Sequence, residues 1–251
     1  MSMLENQIIS FSRSIGADCS VAVPVVFGKE CATVYIEGGR LEIVTAFICD
    51  IDGAVIRPKN IELQREGYNR IEFGTLFTES ELQGVLDDGE LFRFGYIVTG
   101  GATPDMLSVP LVKVADMKDM SVIKYRCNED AFGFPFSVGG YVCAALPILL
   151  SAPGYSQSDE TYTKLDGEIV TLFSQARKEW SGETEYLPEE LHDKIMVALM
   201  CDEVFINERK VVKSGQYSVD WKNYDKLPNG VKTAKATFTV EENMVSRNSN
   251  Y

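Results

Sequence analysis

Histidine and tryptophan are nearly missing from this sequence: His192 stands alone, and Trp180 and Trp221 are the only indoles in 251 residues. One imidazole leaves little room for nucleophilic catalysis, because a Ser or Cys nucleophile needs an oriented base, most often His. His192 also has no companion pattern of Cys, Ser or carboxylate around it, so it reads as a residue at the border of a packed face. Gly-x-Ser-x-Gly and His-Glu-x-x-His are both absent, which removes the usual hydrolase and metalloprotease readings. Rossmann, P-loop and kinase signatures are absent too, and Gly100-Gly101 is followed by neither a helix start nor Lys-Ser/Thr. With no Cys-x-x-Cys and no Cys/His cluster, no metal site is expected. Two carboxylates suffice for a glycosidase, and 37 acidic residues keep that class formally open. No pair is marked out among strand-end aromatics, so the chain is read as a non-enzyme without a cofactor.

Basic residues are the minority, 24 against 37 acidic, for a net charge of −13. That balance argues against a nucleic-acid partner, since phosphate binding wants clustered Lys and Arg. Long apolar runs are lacking as well. The longest, residues 141–150, is broken by Pro147 and is about half a membrane span, so no membrane insertion is expected. The first six residues show no basic region leading into an apolar core, hence no signal peptide and synthesis in the cytoplasm. Six cysteines, at positions 19, 31, 49, 127, 143 and 201, sit largely inside apolar runs such as Phe47-Ile48-Cys49, and are read as reduced, buried thiols.

What is present is a core-forming composition, 45% hydrophobic and 10% aromatic, in short β-branched and aromatic runs punctuated by turn residues. Residues 8–11, 21–27, 33–36 and 41–49 read as strands. Asp50-Ile51-Asp52-Gly53 reads as a hairpin turn into a return strand over 54–57. Residues 61–63 and 70–73 suggest a further pair around Glu66-Gly67-Tyr68-Asn69. Thr78 with Glu81 three residues on forms a capping box for a short helix ending near Leu86. Residues 91–98 and 107–114 complete this half, and the charged stretch 117–120 marks a boundary.

Beyond it, 122–127 and 141–150 read as buried strands, and 152–156 as a loop. Asp166-Gly167 is a strong hairpin signal between 161–165 and 168–173, with the second strand running on toward Trp180. Pro188, Glu189 and Glu190 open a helix over 188–201 whose stripe is Leu191, Ile195, Ala198 and Leu199. Asn207-Glu208 turns the next hairpin. Tyr217, Val219 and Trp221 alternate with Ser218 and Asp220 as one strand, and Ala234, Ala236, Phe238 and Val240 alternate with Lys235, Thr237 and Thr239 as another. The expected fold is mainly β: two antiparallel β-sandwich-like domains in series, residues 1–118 and 119–251, each with one short helix.

The segments Tyr162-Thr163-Lys164-Leu165-Asp166-Gly167, Lys178-Glu179-Trp180, Glu183 through Lys194, Asp202-Glu203-Val204-Phe205-Ile206 and the tail Arg247-Asn248-Ser249-Asn250 resemble a C-terminal region of uncharacterised Bacteroidetes proteins and of proteins from their tailed phages. Those proteins look like virion, tail-associated structural components. The resemblance covers the last third to half of the chain, and it is one of turns and a helix, not of active-site residues. It departs at Tyr251, where the family tail carries a cysteine.

The resemblance implies a non-enzymatic structural subunit of a phage particle, of the tail, baseplate or collar type, located in the virion. Its partners would be copies of itself and other virion proteins. The segments 1–11 and 245–251 are then expected to be extended arms or edge strands, with Ile8, Phe11, Arg247, Asn248 and Tyr251 as candidate assembly contacts. The alternative is a carbohydrate- or cell-surface-binding β-sandwich module, for which Phe132, Phe134, Phe136, Tyr141 and Tyr155 are the candidate platform and a surface glycan the partner.

Overall fold

The computed structural model describes residues 8–9, 11–12, 22–98, 106–131, 140–227 and 230–248. The chain is mainly β, with several open sheets in a sandwich-like arrangement. The strands of the first half are β1 (Phe11–Ser12), β2 (Val23–Val25), β3 (Thr33–Gly38), β4 (Ile43–Cys49), β5 (Val55–Glu62), β6 (Gly67–Glu72), β7 (Leu91–Val98), β8 (Met106–Ser108) and β9 (Leu111–Lys113). Two one-turn helices, α1 (Phe73–Leu76) and α2 (Glu79–Leu82), follow β6. The second half holds β10 (Ser121–Arg126), β11 (Val142–Leu146), β12 (Ile148–Leu150), β13 (Gly154–Thr163), β14 (Ile169–Thr184), β15 (Leu187–Pro188), helix α3 (Glu189–Leu199), β16 (Glu203–Ile206), β17 (Arg209–Lys213), β18 (Ser218–Val219), β19 (Asp225–Lys226), β20 (Lys232–Ala234) and β21 (Ala236–Asn248).

In the first sheet the order is β1-β8-β7-β4-β5, with β9 on β7 and β2 parallel to β9. The large second sheet runs β11-β10-β16-β17-β21-β14-β12, with β13 on β14 and β18 on β21. A small β15-β20-β19 sheet and the β3–β6 pair complete the framework.

Several expectations change in detail. Residues 54–57 and 61–63 are not separate strands but lie on or beside one, β5, which holds Pro58 opposite Phe47; a sheet-end strand tolerates a residue without an N–H. The stretch 107–114 is two strands divided at Pro110, and 141–150 is two divided at Pro147. Residues 70–73 do not pair with 61–63, because β6 takes β3 as its partner. The first half has two short helices rather than one. The capping box at Thr78 and Glu81 is present, but Gly84 adopts a positive φ of 73° and the helix ends after one turn. The extra helix, α1, starts where the Glu72 side chain accepts from the Gly74 N–H. In α3, Pro188 is the N-cap and the last helical residue is Leu199, two short of the expected end; Leu191, Ile195, Ala198 and Leu199 are buried as their spacing requires.

Buried residues from both halves form one contiguous core, from Ile8 and Phe94 to Trp180 and Val240. Where the halves meet, Glu72 ties backbone to side chain. Its Oε1 accepts from the N–H groups of Cys31 (3.1 Å), Ala32 (2.7 Å) and Gly74 (3.3 Å), and its Oε2 accepts from the Thr33 hydroxyl. Arg70 sits 3.6 Å from the same carboxylate and donates through Nε to the Tyr141 carbonyl at 3.1 Å. A backbone bridge between Ala32 and Ala144 runs beside this cluster. Burial pushes the Glu72 carboxyl above its usual range, and the Thr33, Ala32 and Arg70 donors pull it back.

Cys31, Cys49, Cys127, Cys143 and Cys201 are free and buried. Burial lifts the Cys31 thiol to about 12 and the Cys49 thiol to about 11, and raises those of Cys143 and Cys201 as well. Since the thiolate is the reactive form, these cysteines should label with iodoacetamide only as fast as the chain opens. Peptide mapping after native and denatured labelling checks this; rapid native labelling of any of the five would contradict their placement.

Candidate functional site

Sequence alternation along β14 changes character midway. From Trp180 to Thr184 buried and exposed residues alternate, as they should where one face covers a core. From Ile169 to Glu179 that pattern disappears, and all ten residues of β13 are exposed. The distal half of β14 is paired on one side with β13 and on the other with β21, from Phe173 opposite Asn248 to Glu179 opposite Glu241. At a rise of about 3.3 Å per residue, the ten residues of β13 make a ribbon on the order of 33 Å long.

The tip of this arm is a firm turn. Lys164 N–H donates to the Glu168 carbonyl, Gly167 N–H to the Lys164 carbonyl, and Gly167 holds a positive φ of 89°. Asp166 accepts from the Glu168 N–H at 3.0 Å. Leu165 projects wholly into solvent, and Ile169, Tyr162 and Tyr155 are more than half exposed. The root is anchored by Trp180, 2% exposed, and by Gly182. A Cβ on Gly182 would lie 2.3 Å from the Phe238 ring, so only glycine lets β21 close against the sheet there. Arg177 pairs with Glu241 across the strands at 3.0 Å, a half-exposed contact that sets register more than stability. Among the described strands none pairs with the outer edge of β13.

The candidate assembly contacts divide. Ile8 is buried in the chain's own core, and Phe11 pairs through its backbone with Ser108 of β8. Arg247 and Asn248 lie opposite Ser174 and Phe173, within the arm itself. Tyr251 lies outside the described residues. The first four thus have partners inside this chain, and the arm's most exposed apolar side chains are Leu165, Ile169, Tyr155 and Tyr162, of which only Tyr155 is among the candidates above, as a glycan contact.

Of the candidate glycan platform, two residues are described. Phe132, Phe134 and Phe136 lie outside the described residues. Tyr141 borders an open cleft of about 790 Å³, but its own chain engages it: Lys124 Nζ is 4.8 Å from the ring centre, Phe205 packs edge-on at 5.7 Å, and its hydroxyl donates to Glu203. Tyr155 stands on β13, with Lys178 Nζ 5.8 Å from its ring centre.

His192 is structural. Its Nε2 lies 2.9 Å from the Ala234 carbonyl, which only accepts, so Nε2 carries the proton and Nδ1 accepts from the Tyr217 hydroxyl at 2.7 Å. This locks α3 to β20. Burial lowers the imidazole below its usual 6.5. A depressed pKa means that the stabilisation is present above pH 6.5 and lost as pH falls through the folded value. As the only histidine, its proton NMR titration is unambiguous, and a midpoint at or above 6.5 would contradict this arrangement.

Against the same helix lies a second aromatic cluster. The alternation of Tyr217, Val219 and Trp221 predicts one continuous strand, but β18 stops at Val219 and Trp221 is 38% exposed. Asp220 ends the strand by accepting from the Lys222 and Asn223 N–H groups, an Asx turn that swings Trp221 out. Tyr224, 43% exposed, joins Trp221, Glu189, Glu190 and Lys232 around a cleft of about 610 Å³.

Among the described residues no group of three or more His, Cys, Asp or Glu is placed to hold a metal ion, and no helix is long and apolar enough to cross a membrane. Compared with family models, curated proteins and solved structures, the chain matches none.

Proposed function

We propose that this chain is a non-enzymatic structural subunit of a phage particle, of the tail, baseplate or collar type, that works by assembling with copies of itself and with other virion proteins. The observation that carries this reading is the arm formed by β13, β14 and β21. All ten residues of β13 are exposed, so the ribbon's outer strand buries little apolar surface of its own and offers an open edge for pairing. Yet its tip presents Leu165 and Ile169 to solvent, an arrangement that suits a surface covered by a neighbour. The resemblance of the turn and helix segments to tail-associated proteins points the same way.

The test is the mass of the full chain in solution and beside the products of its neighbouring genes, measured by light scattering. Assembly is expected, and the double substitution Leu165→Lys and Ile169→Lys is expected to release monomer without changing the melting temperature. Both side chains are solvated in the free chain, so their loss should not touch the fold. A chain that stays monomeric alone and with those products sinks the proposal, as does assembly indifferent to the tip substitutions.

A further inference from the structure

The cleft at the start of α3 is lined by no residue of β13, β14 or β21. One wall is the first turn of α3, with Glu189 and Glu190 both exposed; the other is formed by Trp221 and Tyr224, from the loop between β18 and β19, with Val231 and Lys232. Its volume of about 610 Å³ falls in the range of small-ligand sites. The aromatic wall is held in place before any ligand arrives. Asp220 fixes the turn through three hydrogen bonds, including one from the Asn223 side chain at 2.9 Å. The Trp221 ring packs at 84° against His192, centroids 5.8 Å apart, and His192 is itself clamped by Tyr217 and Ala234.

The lining selects a ligand class. An anionic ligand meets Glu189 and Glu190 on a chain of net charge −13. A cationic ligand, the usual guest of aromatic and carboxylate walls, meets Lys232, whose Nζ already lies 4.9 Å from the Tyr224 ring centre, with Lys226 Nζ at 5.9 Å. A neutral ring with one apolar face and a rim of hydroxyls conflicts with none of these groups. Its C–H face would cover the exposed Trp221 indole, and its hydroxyls would donate to Glu189 and Glu190 and accept from Lys232. We infer that this cleft is a binding site for a neutral pyranose of a glycan chain, with Trp221 as platform and Glu189, Glu190 and Lys232 as hydroxyl partners.

The two tryptophans make the test direct, because Trp180 is 2% exposed and reports only on the fold. The full chain is titrated with neutral gluco-, manno- and galacto-oligosaccharides while tryptophan emission is followed, with heparin and choline as charged comparisons. A saturable blue shift with at least one neutral series is expected, absent in Trp221→Ala although the Trp180 emission and the melting transition persist. Glu189→Gln, which keeps the helix, should weaken binding measured by calorimetry about tenfold, the loss of one charge-assisted hydrogen bond. The inference is overturned if no neutral series shifts the emission, if the shift survives in Trp221→Ala, or if heparin or choline binds in place of the neutral sugars. Failure here leaves the assembly measurement, which reads the arm, unaffected.

Discussion

Replacing Glu72 by Ala should destabilise the protein by about 3–5 kcal/mol, the range for leaving buried charged and polar partners uncompensated. The side chain is 7% exposed, and its two oxygens serve three backbone N–H groups, the Thr33 hydroxyl and Arg70. Truncation would take the carboxylate acceptor from the three backbone N–H groups and the Thr33 hydroxyl at the junction of β3, β6 and α1, while Arg70 would keep the Tyr141 carbonyl but lose its charge partner. For a chain of this size the melting temperature should fall by roughly 6–20 °C. Glu72→Gln should cost far less. Its amide oxygen can serve the three N–H groups, and its NH2 can turn toward Thr33 Oγ1, leaving Arg70 alone without its charge partner. Calorimetric unfolding of the two variants decides it: equal losses, or a loss under about 1 kcal/mol in Glu72→Ala, would show that the carboxylate is not the tie described.

Trp180→Ala should have a comparable effect on stability, about 3–5 kcal/mol for truncating a large buried aromatic, and a further effect on the arm. Trp180 is the last core residue of β14 before the alternation fades, and it pairs with Val240 of β21. Its ring is flanked by Lys178 Nζ at 5.2 Å and the Arg209 guanidinium at 5.5 Å, so the substitution also removes a seat for two cations. With its root loosened, the ribbon has little burial of its own to hold it. Amide exchange in the stretch of β14 from Phe173 to Glu179 should therefore quicken more than exchange in β10 or β16, which lie elsewhere in the sheet. Uniform acceleration across all strands would mean that Trp180 supports the sheet generally and not the arm.

Local chemistry made some of this architecture readable in the sequence. Asp166-Gly167, Asn207-Glu208 and the Thr78–Glu81 box are each turns or caps fixed by neighbouring residues, and each is present. Asn207 and Glu208 take the positive φ values that such a two-residue turn demands. The helix stripe was readable because burial on α3 follows a single period. Pairing was not, since β3 with β6, or β14 with β21, joins segments whose match depends on the whole core. The arm leaves little trace in the sequence for a related reason. A strand exposed on both faces carries no alternation, so residues 152–156 read as loop although β13 begins at Gly154. Tyr217, Val219 and Trp221 keep a period of two straight through the Asp220 turn that ends the strand, so alternation alone does not mark where Trp221 leaves it. The one signal available was Asp220 itself, a residue that favours turns over strand interiors.

The order of strands in the second sheet also bears on how the chain comes off the ribosome. β14 is flanked by β13, made just before it, and by β21, whose first residue follows Thr184 by 52 positions. At roughly 5–20 residues per second of synthesis, β14 waits for several seconds with one edge unpaired, and Trp180 waits with it. During that interval the nascent ribbon can pair only with β12 and β13 or with another chain. Neighbouring ribosomes on one message therefore present the same unfilled edge to one another, and a swapped β21 is the specific error against which a chaperone or rapid translation of residues 185–235 would guard.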